Sequence, residues 1–394
     1  MRRRIFCALC CFAWGTAAGA EPFFHGEIIF PLQEQHCHSS SIVECPNGDM
    51  LACWFQGSGE RTADDVQVLG ARRAKGAAAW GPVFQMTDVP GFPDCNPVLF
   101  IDAQERLWLF WALVLANRWE NVLLMYRRAE DCVGPGAPNW SWQGVITLKP
   151  GDEFAQTIEQ HFPKLLYDES MWAEYAPPYS RMILEAAKDP LKRQMGWMPR
   201  IHPLTLPSGR ILLPLYSDGF NVSLAAISDD GGWTWRASRP IVGLGPIQPS
   251  FVRRQDGAIV AYMRDSGPLP KRALVAQSTD DGESWSIARD TEIPNPSSSL
   301  QVIAIRDGRW VMIFNDSEQG RHILSLAMSD DEGRTWKWKR TLEKAAPAKG
   351  SYSYPSLLQA ADGKLHATYT FNEKDGKAIK HIVLDPAWIT MGKG

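Results

Sequence analysis

Arg264 and Arg321 are the residues of this 394-residue chain whose type and setting point most directly to chemistry. Each is read as ending the second strand of a repeat, in Met263-Arg264-Asp265 and Gly320-Arg321-His322, and the two repeats are neighbours. Two guanidiniums from adjacent units could hold one carboxylate by charge-assisted, bidentate bonds. The alternative is internal pairing with Asp265, Asp316 or Glu318. Polar residues also recur near the start of successive units: His38 with Ser39, Asn96, His202, Gln248, Asn295 and Tyr354, with Arg200 opening the third unit beside His202. Burying such groups unpaired would cost about 1–3 kcal/mol each, so a ring of them marks a polar channel mouth rather than packing. Tyr354 brings a phenol to this ring. A free tyrosine is ionised in roughly one molecule in a thousand at pH 7. Gln248 can orient a hydroxyl but cannot take its proton, and His38 is left as a weak carboxylate partner or a base of near-neutral pKa.

The elements that must gather these residues follow from a repeat. The pattern Ser-x-Asp-x-Gly-x-(Thr/Ser)-Trp occurs three times, beginning at Ser228, Ser278 and Ser329, 50 and 51 residues apart. Each copy has turn chemistry: Asp bonds its own backbone, Gly supplies positive φ and the hydroxyl residue braces the loop. The closing Trp235, Trp285 or Trp336 can tuck between units. The same unit recurs in weaker form, with turns at Asn47-Gly48, Ser208-Gly209, Asp256-Gly257, Asp307-Gly308 and Asp362-Gly363. Six units of about four strands predict an all-β, six-bladed β-propeller over residues 21–394. Residues 23–30 are a candidate strand to close the ring. Residues 154–192, rich in Ala, Leu, Glu and Lys, break the period and read as a partly helical insertion between blades two and three. Its Trp172, Tyr175 and Tyr179 would suit a flap over one end of the barrel, or the outside of the wheel.

The octet resembles the Asp box of sialidases and related BNR-repeat propellers, and the resemblance spans nearly the whole chain by pattern more than by identity. It implies that the Asp boxes are structural and lie far from the active face. It also implies three arginines for a substrate carboxylate, a tyrosine nucleophile assisted by a glutamate, and an aspartate acid/base from the first unit. Arg264, 16 residues after Gln248, sits where the second arginine belongs, and Arg321, eight residues before Ser329, where the third belongs. Tyr354 matches the nucleophile, and Asp65 or Asp64, with Glu60 nearby, falls in the acid/base loop. Two positions depart: the first-arginine motif reads Cys37-His38-Ser39-Ser40, and the assisting glutamate reads Gln248.

The remaining features bound the function. Residues 1–20 have three arginines, an apolar run and a small-residue end, the layout of a secretory signal peptide, so an exported protein, periplasmic or secreted, is expected. Without those arginines the formal charge of −3 becomes −6, which argues against nucleic acid as a partner. No later segment has spanning length, and no cysteine pair has metal-site spacing, so neither a membrane span, a metal nor another cofactor is expected. Cys37, Cys45, Cys53, Cys95 and Cys132 remain as buried apolar residues, with one or two disulfides open. The oligomeric state stays open. Three functions are consistent with these residues. One is an exo-glycosidase acting on a terminal acidic sugar of glycans, with Arg264 and Arg321 on the carboxylate. Another is a uronic-acid lyase using His38 or His202 with Tyr354, and the third is a non-catalytic glycan-binding propeller.

Overall fold

The computed structural model describes residues 21–165 and 179–391. The expected signal segment, together with Trp172 and Tyr175, lies outside the described residues. Six antiparallel sheets follow one another along the chain as six blades. Blades one and two each contain four strands in meander order, from His36–Glu44 to Phe84–Thr87 and from Asp94–Ile101 to Trp142–Ile146. Blades four and five repeat the pattern from Pro246–Arg253 and from Gln301–Ala304. The last blade takes its outermost strand from the other end of the chain. Phe24–Ile28 pairs antiparallel with Gly376–Leu384, Phe24 opposite Leu384, and this pairing closes the wheel.

Blade three differs at its centre. Its innermost strand is split into Met198–Pro199 and Leu204–Thr205, both paired with Ile211–Ser217. The gap holds Arg200 to Pro203. Before it come the helices Asp152–His161, Tyr179–Lys188 and Pro190–Gln194, so the described residues between blades two and three are partly helical. Phe154 and Ile158 pack with Val98, Phe110 and Leu213, which puts this insertion on the seam of blades two and three.

Packing between blades uses the Asp boxes as the sequence suggests. In blade three, Asp230 accepts bonds from the Thr234 amide at 2.9 Å and its hydroxyl at 2.6 Å, and Ser228 Oγ accepts from the Gly232 amide at 2.8 Å. Gly232 has φ of +90°, and a Cβ there would lie 2.5 Å from Trp108 of the preceding blade. Only glycine allows both the turn and that approach. Trp285 stacks on Phe251 of its own blade at 4.8 Å, and Trp336 meets Tyr262 of the preceding blade edge-on at 5.9 Å. Cys45 and Cys132 form a disulfide between blade one and the end of blade two; Cys37, Cys53 and Cys95 are buried thiols.

Candidate active site

The innermost strands begin at one end of the wheel, and near that end most of them break register. The pairing shifts between His38 and Ser41, Cys95 and Val98, Ile247 and Ser250, and Ser353 and Ser356. Each shift holds a non-glycine residue at positive φ: Ser39 (59°), Asn96 (51°), Gln248 (54°) and Tyr354 (54°), with Ser297 (55°) equivalent in blade five. Pro97, Pro249 and Pro355 follow three of them, and a bulge tolerates proline because it has already left the ladder. A left-handed non-glycine residue costs roughly 1–2 kcal/mol. Five of them at one hub indicate strain held in place for a purpose, since bulges re-aim side chains.

The re-aimed side chains meet across blades. Asn96 Nδ2 donates to Tyr216 Oη at 3.0 Å, and Gln248 Nε2 donates to Tyr216 Oη at 3.2 Å and to Tyr354 Oη at 3.0 Å. Arg264 Nη1 donates to Tyr354 Oη at 2.8 Å. The Arg321 guanidinium carbon lies 5.2 Å from the centre of the Tyr354 ring, and that of Arg200 lies 5.0 Å from it. Arg264 Nε donates to Ser297 Oγ at 3.1 Å and Arg321 Nη2 to the Ser297 carbonyl at 3.0 Å, so one strained serine brackets both guanidiniums. Among the described residues neither arginine forms an ion pair with a carboxylate. Asp316 pairs with Lys339 and Glu318 with Arg272, while Asp265 accepts from the Gly267 amide at 2.7 Å and lies 3.8 Å from Lys271 Nζ.

Several expected roles are corrected by this geometry. Arg321 lies in the loop after the second strand of blade five, which ends at Asn315. Arg200 is buried, and its Nη1 and Nη2 are spent on the carbonyls of Ser40 (3.3 Å) and Pro355 (2.9 Å); burial pulls its pKa down to about 10. It supports the hub floor beneath Tyr354. His202 shares hydrogen bonds with Ser41, Ser356 and Gln301, and burial drops its pKa to about 4, so it ties blades together instead of facing a ligand. Asn295 folds back on the amide and carbonyl of Ser298, leaving the hub position to Ser297. His38 bonds Thr370 Oγ1 at 2.8 Å and lies 4.1 Å from the Tyr354 ring. Burial, then Arg321, His36, Arg200 and Arg264, hold its pKa well below the usual histidine range. Its ring is neutral at pH 7, so it is a weaker base than the near-neutral one the sequence suggested and could offer a carboxylate only a neutral N–H.

The three acids of the first-blade loop separate. Asp65 accepts from the Ser58 amide and hydroxyl, and Asp64 from Asn117 Nδ2 at 3.0 Å; both are exposed loop braces. Glu60 is the member of the three that senses the hub. Burial raises its pKa while Arg61, Arg321 and Arg264 oppose the rise. Asp218 and Tyr216, not singled out from sequence, join it. Burial raises Asp218, and burial with Asp218 and Tyr354 raises Tyr216 well above the tyrosine range. Arg264 is lowered by burial but raised overall by Tyr354, Asp218 and Tyr216. Tyr216 stands five residues into its strand, as Arg264 does, so the repeat phase that selected Arg264 would have found it. A surface cleft of about 660 Å³, lined by Lys149, Arg236, Arg239, Asp280 and Glu283, contains none of these residues.

The fold and the repeats agree with known proteins. A BNR repeat-like domain model matches residues 194–367. The anhydrosialidase of Macrobdella decora is 26% identical over 182 residues, covering 41% of this chain and 23% of that protein. The sialidase of Clostridium perfringens is 26% identical over 159 residues, covering 35% and 40%. The chain thus spans less than half the length of these curated relatives. The structure of the leech intramolecular trans-sialidase with 2,7-anhydro-Neu5Ac superposes with a TM-score of 0.67 at 14% identity, over 93% of this chain and 71% of that one. With its three Asp boxes, its BNR repeat-like match and six blades closed by an N-terminal strand, the chain is similar in repeat and fold to the sialidases.

Proposed function

We propose that the protein is a sialidase-like exo-glycosidase that acts on a terminal acidic sugar of glycans, sialic acid or a related ulosonic or uronic acid. One observation carries this reading: two guanidiniums without carboxylate partners among the described residues flank the hydroxyl and ring of Tyr354. Arg264 and Arg321 bind the sugar carboxylate, which sets the ring so that its anomeric carbon faces Tyr354 Oη. Tyr354 Oη gives its proton to solvent water, and the negative charge left on that oxygen is met by the Arg264 and Gln248 N–H groups, fixed in advance of reaction. Glu60, whose burial favours the protonated acid, gives its proton to the leaving oxygen and afterwards takes one from water. Relatives named sialidase and anhydrosialidase support the substrate class.

A second reading, a glycan-binding propeller without turnover, is favoured by Gln248. An amide contacts the tyrosine oxygen where a mechanism of this kind calls for a base. The lyase reading is less favoured, because His202 is occupied by hub-floor bonds and burial makes His38, bonded to Thr370, a weak base. Export is part of the same proposal and is supported by the Cys45–Cys132 disulfide. Among the described residues no helix is long and apolar enough to cross a membrane.

Assays of the mature protein on sialyl, deoxy-ulosonic and uronic glycosides test the proposal. Release of the free sugar, lost in Tyr354→Phe, is the expected result. Binding of these sugars with no release would establish the second reading, and product absorbing in the near ultraviolet would restore the lyase. Turnover unchanged in Tyr354→Phe would overturn the mechanism.

A further inference from the structure

The hub does not use an aromatic run at the outer edge of blade two. Trp142, on the outermost strand, is 52% exposed, and Trp233, in the first Asp-box turn, is 64% exposed. Neither ring is loose. Trp142 Nε1 donates to Tyr126 Oη at 2.7 Å, and Tyr126 stacks on buried Trp108 at 5.6 Å. Gly144 makes room for this arrangement, because a Cβ there would lie 2.8 Å from the Tyr126 ring. Arg128 caps one face of Trp233 with its guanidinium carbon 4.6 Å from the ring centre, and Asp230 holds the Trp233 amide at 3.0 Å. Arg128 and Trp142 are register partners, so their side chains leave the same face of the sheet, on which Trp233 covers the arginine.

Strand direction locates this patch. Inner strands start at the hub mouth, and the third strand of each blade runs parallel to the first. The Asp-box turn that carries Trp233 follows a third strand, Val222–Ser228, so the patch lies toward the end of the wheel opposite the mouth.

We propose that Trp142 and Trp233, with Arg128 between them, form a second carbohydrate-binding site that takes a neutral pyranose segment of a glycan. An indole face is apolar and flat, as is the C–H face of a pyranose ring, and half-exposed tryptophans are the usual anchors of binding surfaces. Hydroxyls at the sugar's rim meet the Glu130 carboxylate and the Ser141 hydroxyl. Charge excludes an acidic sugar here. The patch's cation, Arg128, is already paired with Glu130 at 3.2 Å, and the Glu130 side chain is 61% exposed and repels carboxylates. Both rings are fixed before a ligand arrives, which lowers the ordering cost of binding. The site is independent of the hub and holds whether or not the hub hydrolyses anything.

Surface retention on immobilised desialylated mucin, whose repeated neutral chains amplify weak single contacts, tests the proposal. Trp233→Ala and Trp142→Ala should each weaken retention at least about tenfold, the loss of one anchor residue. Trp142→Phe should keep part of it and Tyr354→Phe all of it. Lacto-N-neotetraose, a neutral tetrasaccharide, should compete, and free sialic acid should not. Circular dichroism of each variant reports folding, and a misfolded alanine variant leaves the phenylalanine variant and the competition to decide. Absence of retention by the unmodified protein, competition by sialic acid alone, or retention of both folded alanine variants at the level of the unmodified protein would overturn it. So would a Trp233→Ala change that alters the sedimenting mass and not mucin retention, because the patch would then join two copies of the chain.

Discussion

Arg264 Nη1 lies 2.8 Å from Tyr354 Oη, so the residue expected to grip a carboxylate also touches the candidate nucleophile. Arg321 approaches the ring of the same tyrosine, with its guanidinium carbon 5.2 Å from the centre. The two arginines should therefore fail differently. Arg264→Met is expected to weaken binding of an acidic sugar and to lower kcat together, and Arg321→Met to act mainly on KM. A hydrogen bond to a charged group contributes about 1.5–3 kcal/mol, which sets each binding loss at roughly 10- to 100-fold. Steady-state kinetics on the substrate identified by the glycoside panel, with a neutral analogue as control, checks the split. Equal effects of both variants on KM alone would remove Arg264 from the chemistry.

Gln248 is the place where a single side chain should change the most. Its Nε2 spans the hydroxyls of Tyr216 and Tyr354, and its Oε1 has no hydrogen-bond partner. Gln248→Glu keeps the shape and supplies a group able to take the Tyr354 proton. General-base assistance contributes on the order of 10²–10⁴-fold. The variant is expected to raise kcat by at least about tenfold and to add an acidic limb to its pH–rate profile. A variant that folds, binds the sugar and turns over no faster would show that Tyr354 is not limited by its proton.

Most of the fold was legible in the sequence, because a propeller repeats its turn chemistry. Asp-Gly and Asn-Gly turns and Ser-x-Asp-x-Gly loops are local signals, and they located five of the six blades; blade two and the closing strand at residues 23–30 were placed by their positions relative to those units. The hub was legible only in part. Repeat phase found Gln248 and Tyr354, whose bulges precede proline, but it selected Asn295 over Ser297, two residues on. A bulge of one or two residues decides which side chain faces the axis, and no local pattern fixes its register. Arg200 and His202 looked like ligand contacts, yet both fill the gap in blade three's split inner strand. Burial alone separated the three acids of the first loop, and it is a property of the assembled wheel.

Those acids give a third expectation. Glu60→Gln removes the proposed proton donor, so it should lower kcat by about 10²-fold on alkyl glycosides. Aryl glycosides, with good leaving groups, should lose far less. Asp65→Asn disturbs the bonds to Ser58 and should lower activity on both classes by a similar, smaller factor. Leaving-group dependence in Asp65→Asn and not in Glu60→Gln would exchange their roles.

The seam where the wheel closes should respond to acid. His366 Nδ1 and His381 Nε2 are 3.0 Å apart, and His381 Nδ1 lies 3.3 Å from Glu27 on the closing strand, itself paired with Arg73 of blade one. Burial, then His381, Arg73 and Lys364, against a smaller opposing effect of Asp362, lowers His366 to about 3. The folded state therefore keeps this ring neutral where the unfolded chain, near 6.5, takes a proton. Stability from His366 is complete above about pH 6.5 and falls as pH drops toward 3, at about 1.4 kcal/mol per pH unit across that window. His381 is lowered too and adds in the same sense. Asp94 and Asp265, raised by burial to about 7 and about 6, act oppositely, since the folded state holds their protons longer. The difference between the protein and His366→Gln isolates the histidine. Urea midpoints taken from pH 7.5 to 4.5 should fall more steeply for the unmodified protein than for His366→Gln. Parallel curves would mean that His366 takes up its proton in the folded wheel.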